Sequence, residues 1–120
     1  MIKVGFWKDT RDPLSAFVTS LFEDLPDPRE LAVPGWYEGW ADGIADWLDR
    51  GKVASKYMGS SYCRFDGCKT YMGCVDLSDG VYLWPEGLSH YVRVHGVVLP
   101  RAFIRHVLVQ MVKEGSFKTL

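Results

Sequence analysis

Three thiols, Cys63, Cys68 and Cys74, crowd one stretch of this sequence, and three histidines, His90, His95 and His106, follow it. Thiolate and imidazole together can hold a soft divalent metal or form a nucleophile and its base. A structural zinc site takes four ligands, usually as close pairs two to four residues apart plus a second pair. Read through the cysteines alone, the spacing is Cys-x4-Cys-x5-Cys, which matches no standard zinc knuckle. Asp66 turns "CRFDGC" into a tight loop of three ligands, so Cys63, Asp66, Cys68 and His95 are the metal-ligand candidates. The simpler reading, thiols packed as small hydrophobes with no metal or other cofactor, is favoured.

A nucleophilic cysteine needs a cation or a helix N-terminus to lower its pKa, and a base within reach. Arg64 adjoins Cys63, but neighbours along a strand point to opposite faces. His90 and His106 fall opposite the apolar faces of their helices, where solvent is expected. His95 shares the core face of its helix and sits in the last turn, where it complements the helix dipole. A phosphate-binding Gly-rich loop, a Ser nucleophile elbow and a dinucleotide fingerprint are all missing. The residues therefore speak against an enzyme.

Elements must position these groups. "IKVGFW" alternates as a short strand with Ile2, Val4 and Phe6 on one side. Asp12 and Pro13 open a helix carrying Leu14, Phe17, Val18, Leu21 and Phe22, which Pro26 stops. Over residues 36–50 the 100° period puts Trp36, Trp40, Ile44, Trp47 and Leu48 on one helix face, and Glu38, Asp42, Asp46 and Asp49 on the other. "YMGSSYCRF", "TYMGCVDL" and "VYLW", parted by Asp66-Gly67 and Asp79-Gly80, predict a three-stranded antiparallel meander. "WPEGLSHYVRVHG" reads as a strand passing into a short helix: Pro85 ends pairing, Glu86 suits the first turn, and Gly96 stops it. Pro100 opens a last helix with Phe103, Ile104, Val107, Leu108, Met111 and Val112 inward. The fold class is α+β: a small antiparallel sheet, with a possible N-terminal strand, packed with three to four helices in one domain over residues 1–120.

The 120 residues, 48% hydrophobic and 24% charged, suit such a single core. Five Trp, six Tyr and six Phe give either an aromatic core or a sticky surface. No stretch reads as a signal peptide or a membrane span, and an odd number of cysteines suits a reducing compartment, so a cytoplasmic location is expected. Net charge is −1, which weighs against nucleic acid. It is uneven, however: residues 1–50 hold five Lys or Arg against ten Asp or Glu, and residues 51–120 hold nine against five.

"CRFDG", "WPEGLSHYV" and "HGVVLPRAF" resemble small bacterial proteins in which a Cys-Arg-x-Cys-Gly element precedes a strand and a Trp-Pro-Glu-Gly-Leu-x-His-Tyr helix start. The likeness covers residues 60 to about 106. Here Asp66 stands where the second cysteine of that element would be. The resemblance implies a bacterial or phage origin and carries no activity.

The leading functional expectation is a non-catalytic interaction module, of inhibitor or immunity type. Its protein partner would dock on an acidic, aromatic surface of Trp36, Tyr37, Glu38, Trp40, Asp42, Asp46 and Asp49, with Trp47 beside them. The alternative is a small metal-binding domain or Cys/His enzyme centred on Cys63, Asp66, Cys68 and His95. Arg101, Arg105 and Lys113 offer a third, sparser possibility, an anion site.

Overall fold

A computed structural model of the chain describes residues 1–7 and 25–115, with residues 57–61 as backbone only. The helix expected between Asp12 and Pro26 lies outside the described residues. Four strands, β1 (Ile2–Lys3), β2 (Lys52–Tyr62), β3 (Tyr71–Ser78) and β4 (Tyr82–Pro85), form one sheet in the order β1-β4-β3-β2. Helices α1 (Ala41–Asp49), α2 (Leu88–His95) and α3 (Arg101–Lys113) join it, with a 3-10 turn at Pro28–Leu31. The architecture is α+β, as the periodicities predict.

β2, β3 and β4 make the expected meander, with Leu77 opposite Trp84 and Val53 opposite Leu77. The N-terminal strand pairs parallel to β4, Ile2 opposite Tyr82, so the sheet is mixed and not purely antiparallel. Its expected facing also changes. Val4 and Trp7 are buried, whereas Ile2 is exposed. Gly5 accounts for the inward position passing from Phe6 to Trp7: its φ of +80° breaks the alternation after Val4, and a Cβ there would lie 2.5 Å from Leu88 Cδ1.

The helix expected over residues 36–50 starts only at Ala41. Before it, Trp36, Glu38 and Trp40 donate their amides to Val33, Gly35 and Tyr37, each three residues back, so residues 33–40 form successive turns. Gly35 at φ +79° and Glu38 at φ +53° keep the backbone out of a continuous helix. Trp36 is thereby off the helix. α2 ends as read, with Gly96 left-handed at φ +63°.

Among the described residues much of the aromatic surplus is core. Trp7, Tyr37, Trp47, Tyr82, Trp84 and Tyr91 are buried together with Leu88, Val92, Phe103 and Val107. Trp84 is fully enclosed, and its indole N–H donates to the Leu48 carbonyl at 3.2 Å. The "WPEG" corner serves the sheet. Glu86 Oε1 accepts the amides of Cys74 at 2.6 Å and Val75 at 3.2 Å, while its own amide donates to the Val75 carbonyl. Its side chain therefore closes a gap in β3 in place of the role at the α2 N-terminus that the sequence suggests. Among the described residues no helix is long and apolar enough to cross a membrane.

Candidate metal centre

β2 ends one residue before Cys63, and the chain must return to β3 at Tyr71. The loop between them closes on itself. The Cys63 amide donates to the Thr70 carbonyl at 3.0 Å and the Cys68 amide to the Phe65 carbonyl at 3.1 Å. Gly67, at φ +77°, supplies the third position of the Phe65–Cys68 turn, which a residue with a Cβ would strain. This turn brings the two thiols together. Backbone hydrogen bonds from Phe65 to Cys63 and from Thr70 to Cys68 run from residue i+2 in both cases and favour the thiolate.

α2 supplies the rest. His95 Nε2 lies 3.3 Å from Cys63 Sγ, His90 Nε2 lies 3.4 Å from Cys68 Sγ, and the two Nε2 atoms are 3.2 Å apart. All four donor atoms fall within 4.8 Å of one another. A tetrahedral Zn2+ at about 2.0 Å from nitrogen and about 2.3 Å from sulfur puts its nitrogens about 3.3 Å apart and nitrogen and sulfur about 3.5 Å apart. The three separations above lie close to three of that tetrahedron's six edges.

The surroundings hold the donors in place. Phe65 stacks on the His95 ring at 3.8 Å between centroids and 6° between planes. The Tyr91 hydroxyl accepts the Arg64 amide at 2.9 Å and hydrogen-bonds to the Cys63 thiol; its burial there pushes its pKa up to about 12. Burial raises the Cys63 pKa, whereas hydrogen bonds from Thr70 lower that of Cys68. Burial lowers the pKa of His90, with the charge of His95 adding to it, and burial alone lowers that of His95. Both imidazoles are thus held toward the neutral form that a metal binds.

Comparison of the chain with protein-family models, with curated proteins and with solved structures returns no match.

Of the four metal-ligand candidates read from the sequence, Cys63, Cys68 and His95 converge and Asp66 does not. Asp66 occupies the exposed corner of the turn, where its carboxylate meets the Arg29 guanidinium at 3.2 Å. Arg29 is itself anchored to Asp27 at 2.7 Å, so this pair ties the loop tip to the 3-10 turn. His90, expected in solvent, takes the fourth place. Cys74 is not in the set. His106, also expected in solvent, is paired with Asp79 at 2.5 Å and packs beside Tyr82.

The acidic and aromatic residues expected to bind a partner are divided. Tyr37 and Trp47 are core, and the Tyr37 hydroxyl donates to the Val97 carbonyl and accepts the Leu99 amide. Asp42, Asp46 and Asp49 gather around Arg93 of α2 at 3.1, 2.6 and 3.9 Å, and Asp49 also accepts from Ser89. The stripe is engaged within the molecule, joining α1 to α2. Glu38 is exposed, as are Trp36 at 41% and Trp40 at 43%. Because the Arg93 cluster is open to water, Arg93→Ala is expected to cost less than about 1 kcal/mol. Urea unfolding at low and high salt checks this; the gap between variant and parent should narrow as salt rises.

Proposed function

We propose that this chain is a small, non-catalytic zinc-stabilised domain, in which Cys63, Cys68, His90 and His95 hold one Zn2+ as a structural clip. The observation that carries the reading is the convergence of two thiols and two Nε2 atoms within 4.8 Å of one another, with three of their separations close to the edges of a tetrahedron. Two thiolates and two imidazoles suit zinc over hard cations, which prefer oxygen ligands. The bound ion's charge would balance the two thiolates.

A structural role follows from the donor count. Catalytic zinc sites keep a position for water, whereas four protein ligands close the shell. The clip would fasten the loop between β2 and β3 to both ends of α2, two parts of the chain otherwise joined there by packing and the Tyr91 hydroxyl. The competing use of the same residues, Cys63 as a nucleophile with His95 as its base, is opposed by the environment of Cys63. That thiol is fully buried, and burial raises its pKa when a nucleophile needs it lowered.

Protein purified without an affinity tag should contain one zinc per chain by elemental analysis. Cobalt exchanged into the site should give the visible bands of a tetrahedral ion with two thiolates. Absence of stoichiometric metal after purification and after zinc reconstitution would overturn the proposal.

A further inference from the structure

A second feature shares no residue with the metal centre. The turns at residues 33–40 and the outer side of α3 border an open groove of about 720 Å3, floored by Ile104 and Leu108 and walled by Trp36, Trp40, Val109 and Val112. Large apolar groups gathered in a groove open to water mark an interaction surface, and interface hot spots are enriched in Trp and Arg. Its charged lining has one sign only: Arg101, Arg105 and Lys113. Among the described residues none of the three is in an ion pair.

Two of these cations stand where the helix itself does not favour them, while Lys113, in its last turn, is favoured there. Arg101 and Arg105 are one turn apart and repel each other, and Arg101 sits at the positive end of the α3 dipole, where the first turn has no acidic residue. Carboxylates brought to the groove would relieve both. The cations also extend over about 18 Å, the rise of twelve helical residues. A single small carboxylate would need them gathered at one end. A partner carrying several carboxylates along an apolar ridge matches their spread, and this is the helix-in-groove mode of recognition.

We propose that the groove between residues 33–40 and α3 binds an acidic amphipathic helical segment of a protein partner, whose apolar face covers Trp36, Trp40 and Val109 and whose carboxylates meet Arg101, Arg105 and Lys113. This retains the protein partner expected from composition and reverses the sign of its charge, since Asp42, Asp46 and Asp49 already surround Arg93.

The test is selection of a randomised helical-peptide display library on the zinc-loaded full chain, followed by titration of the selected peptides. The expected result is enrichment of peptides with apolar residues at i, i+3, i+4 and i+7 and flanking Asp or Glu. Their affinity should fall at least about tenfold with Arg105→Glu, with Lys113→Glu and with Trp40→Ser, and should weaken with salt. Both charge reversals are at exposed positions, and circular dichroism would verify that each variant folds. Selection of basic or uncharged peptides, of none, or of peptides indifferent to these substitutions would overturn the proposal. So would Arg105-dependent binding to phosphatidylglycerol vesicles with no peptide enriched, which would give the groove to a lipid surface. Sedimentation as a dimer that Trp40→Ser dissolves would give it to a second copy of the chain.

Discussion

Cys68→Ser, and independently His90→Ala, is expected to remove the bound zinc and lower the Tm by about 15 °C. A ligand that binds only the folded state at a thousandfold excess over its Kd contributes about 4 kcal/mol. For a domain of this length that corresponds to about 15 °C. The metal-free parent, prepared with a chelator, should melt near the two variants, because all three lack the same clip. Thermal melts with zinc and with chelator check this. A variant that melts with the chelated parent but still carries one zinc would show that the ion sits elsewhere. Acidity should act in the same direction. His90 and His95 have folded pKa values below their unfolded ones, because burial disfavours the imidazolium. Between the two values the unfolded chain binds more protons, so metal-free stability falls as pH drops below about 6.5. In the loaded protein protons also compete with zinc for the four donors, which makes the fall steeper.

The α+β class and the meander were legible because a strand period of two and the Asp-Gly turns are local signals. The direction of β1 was not, since Ile2–Lys3 contributes two residues whose pairing depends on where β4 ends up. The late start of α1 had a trace in Pro34-Gly35, yet the apolar spacing of Trp36 and Trp40 outweighed it. Three of the four clustered side chains, Cys63, Cys68 and His95, were among the metal-ligand candidates read from the sequence. His90 was missed because residues five apart on an ideal helix diverge by about 140°, so the helical period placed His90 and His95 on different faces. Both present the distal Nε2, however, and the imidazoles are long enough for these atoms to come within 3.2 Å of each other despite that divergence. The pairing Cys63-x4-Cys68 with His90-x4-His95 falls within zinc-site spacing, and it becomes visible only when Cys74 is set aside. Asp66 drew attention for its place in the loop, whereas its true partner, Arg29, lies far away in sequence.

The largest effect expected from a residue that touches no metal is at Gly73. It is opposite Ser61 where the β2–β3 register is irregular, its φ is +91°, and a Cβ built on it would collide with the Glu86 carboxyl group. Gly73→Ala therefore strains the backbone and expels the carboxylate that satisfies the amides of Cys74 and Val75. Left without it, two partly buried donors lose a charge-assisted bond. Backbone strain and lost bonds together are expected to cost about 3 kcal/mol, or about 10 °C in Tm. Glu86→Ala alone should cost about 2 kcal/mol, from the bonds without the strain. The double variant distinguishes this account from two independent defects. Once Gly73→Ala has displaced Glu86, deleting that carboxylate removes nothing more and relieves the crowding, so the double variant should be no less stable than Gly73→Ala. Additive losses would mean that Glu86 keeps its bonds beside the added methyl and that the strand yields instead. Since neither residue is a ligand, zinc content should stay at one per chain in all three variants. The "WPEG" corner and the Cys/His cluster then separate cleanly: the first sets the stability of the β3–β4 junction that leads into α2, and the second, as proposed, fastens α2 to the loop.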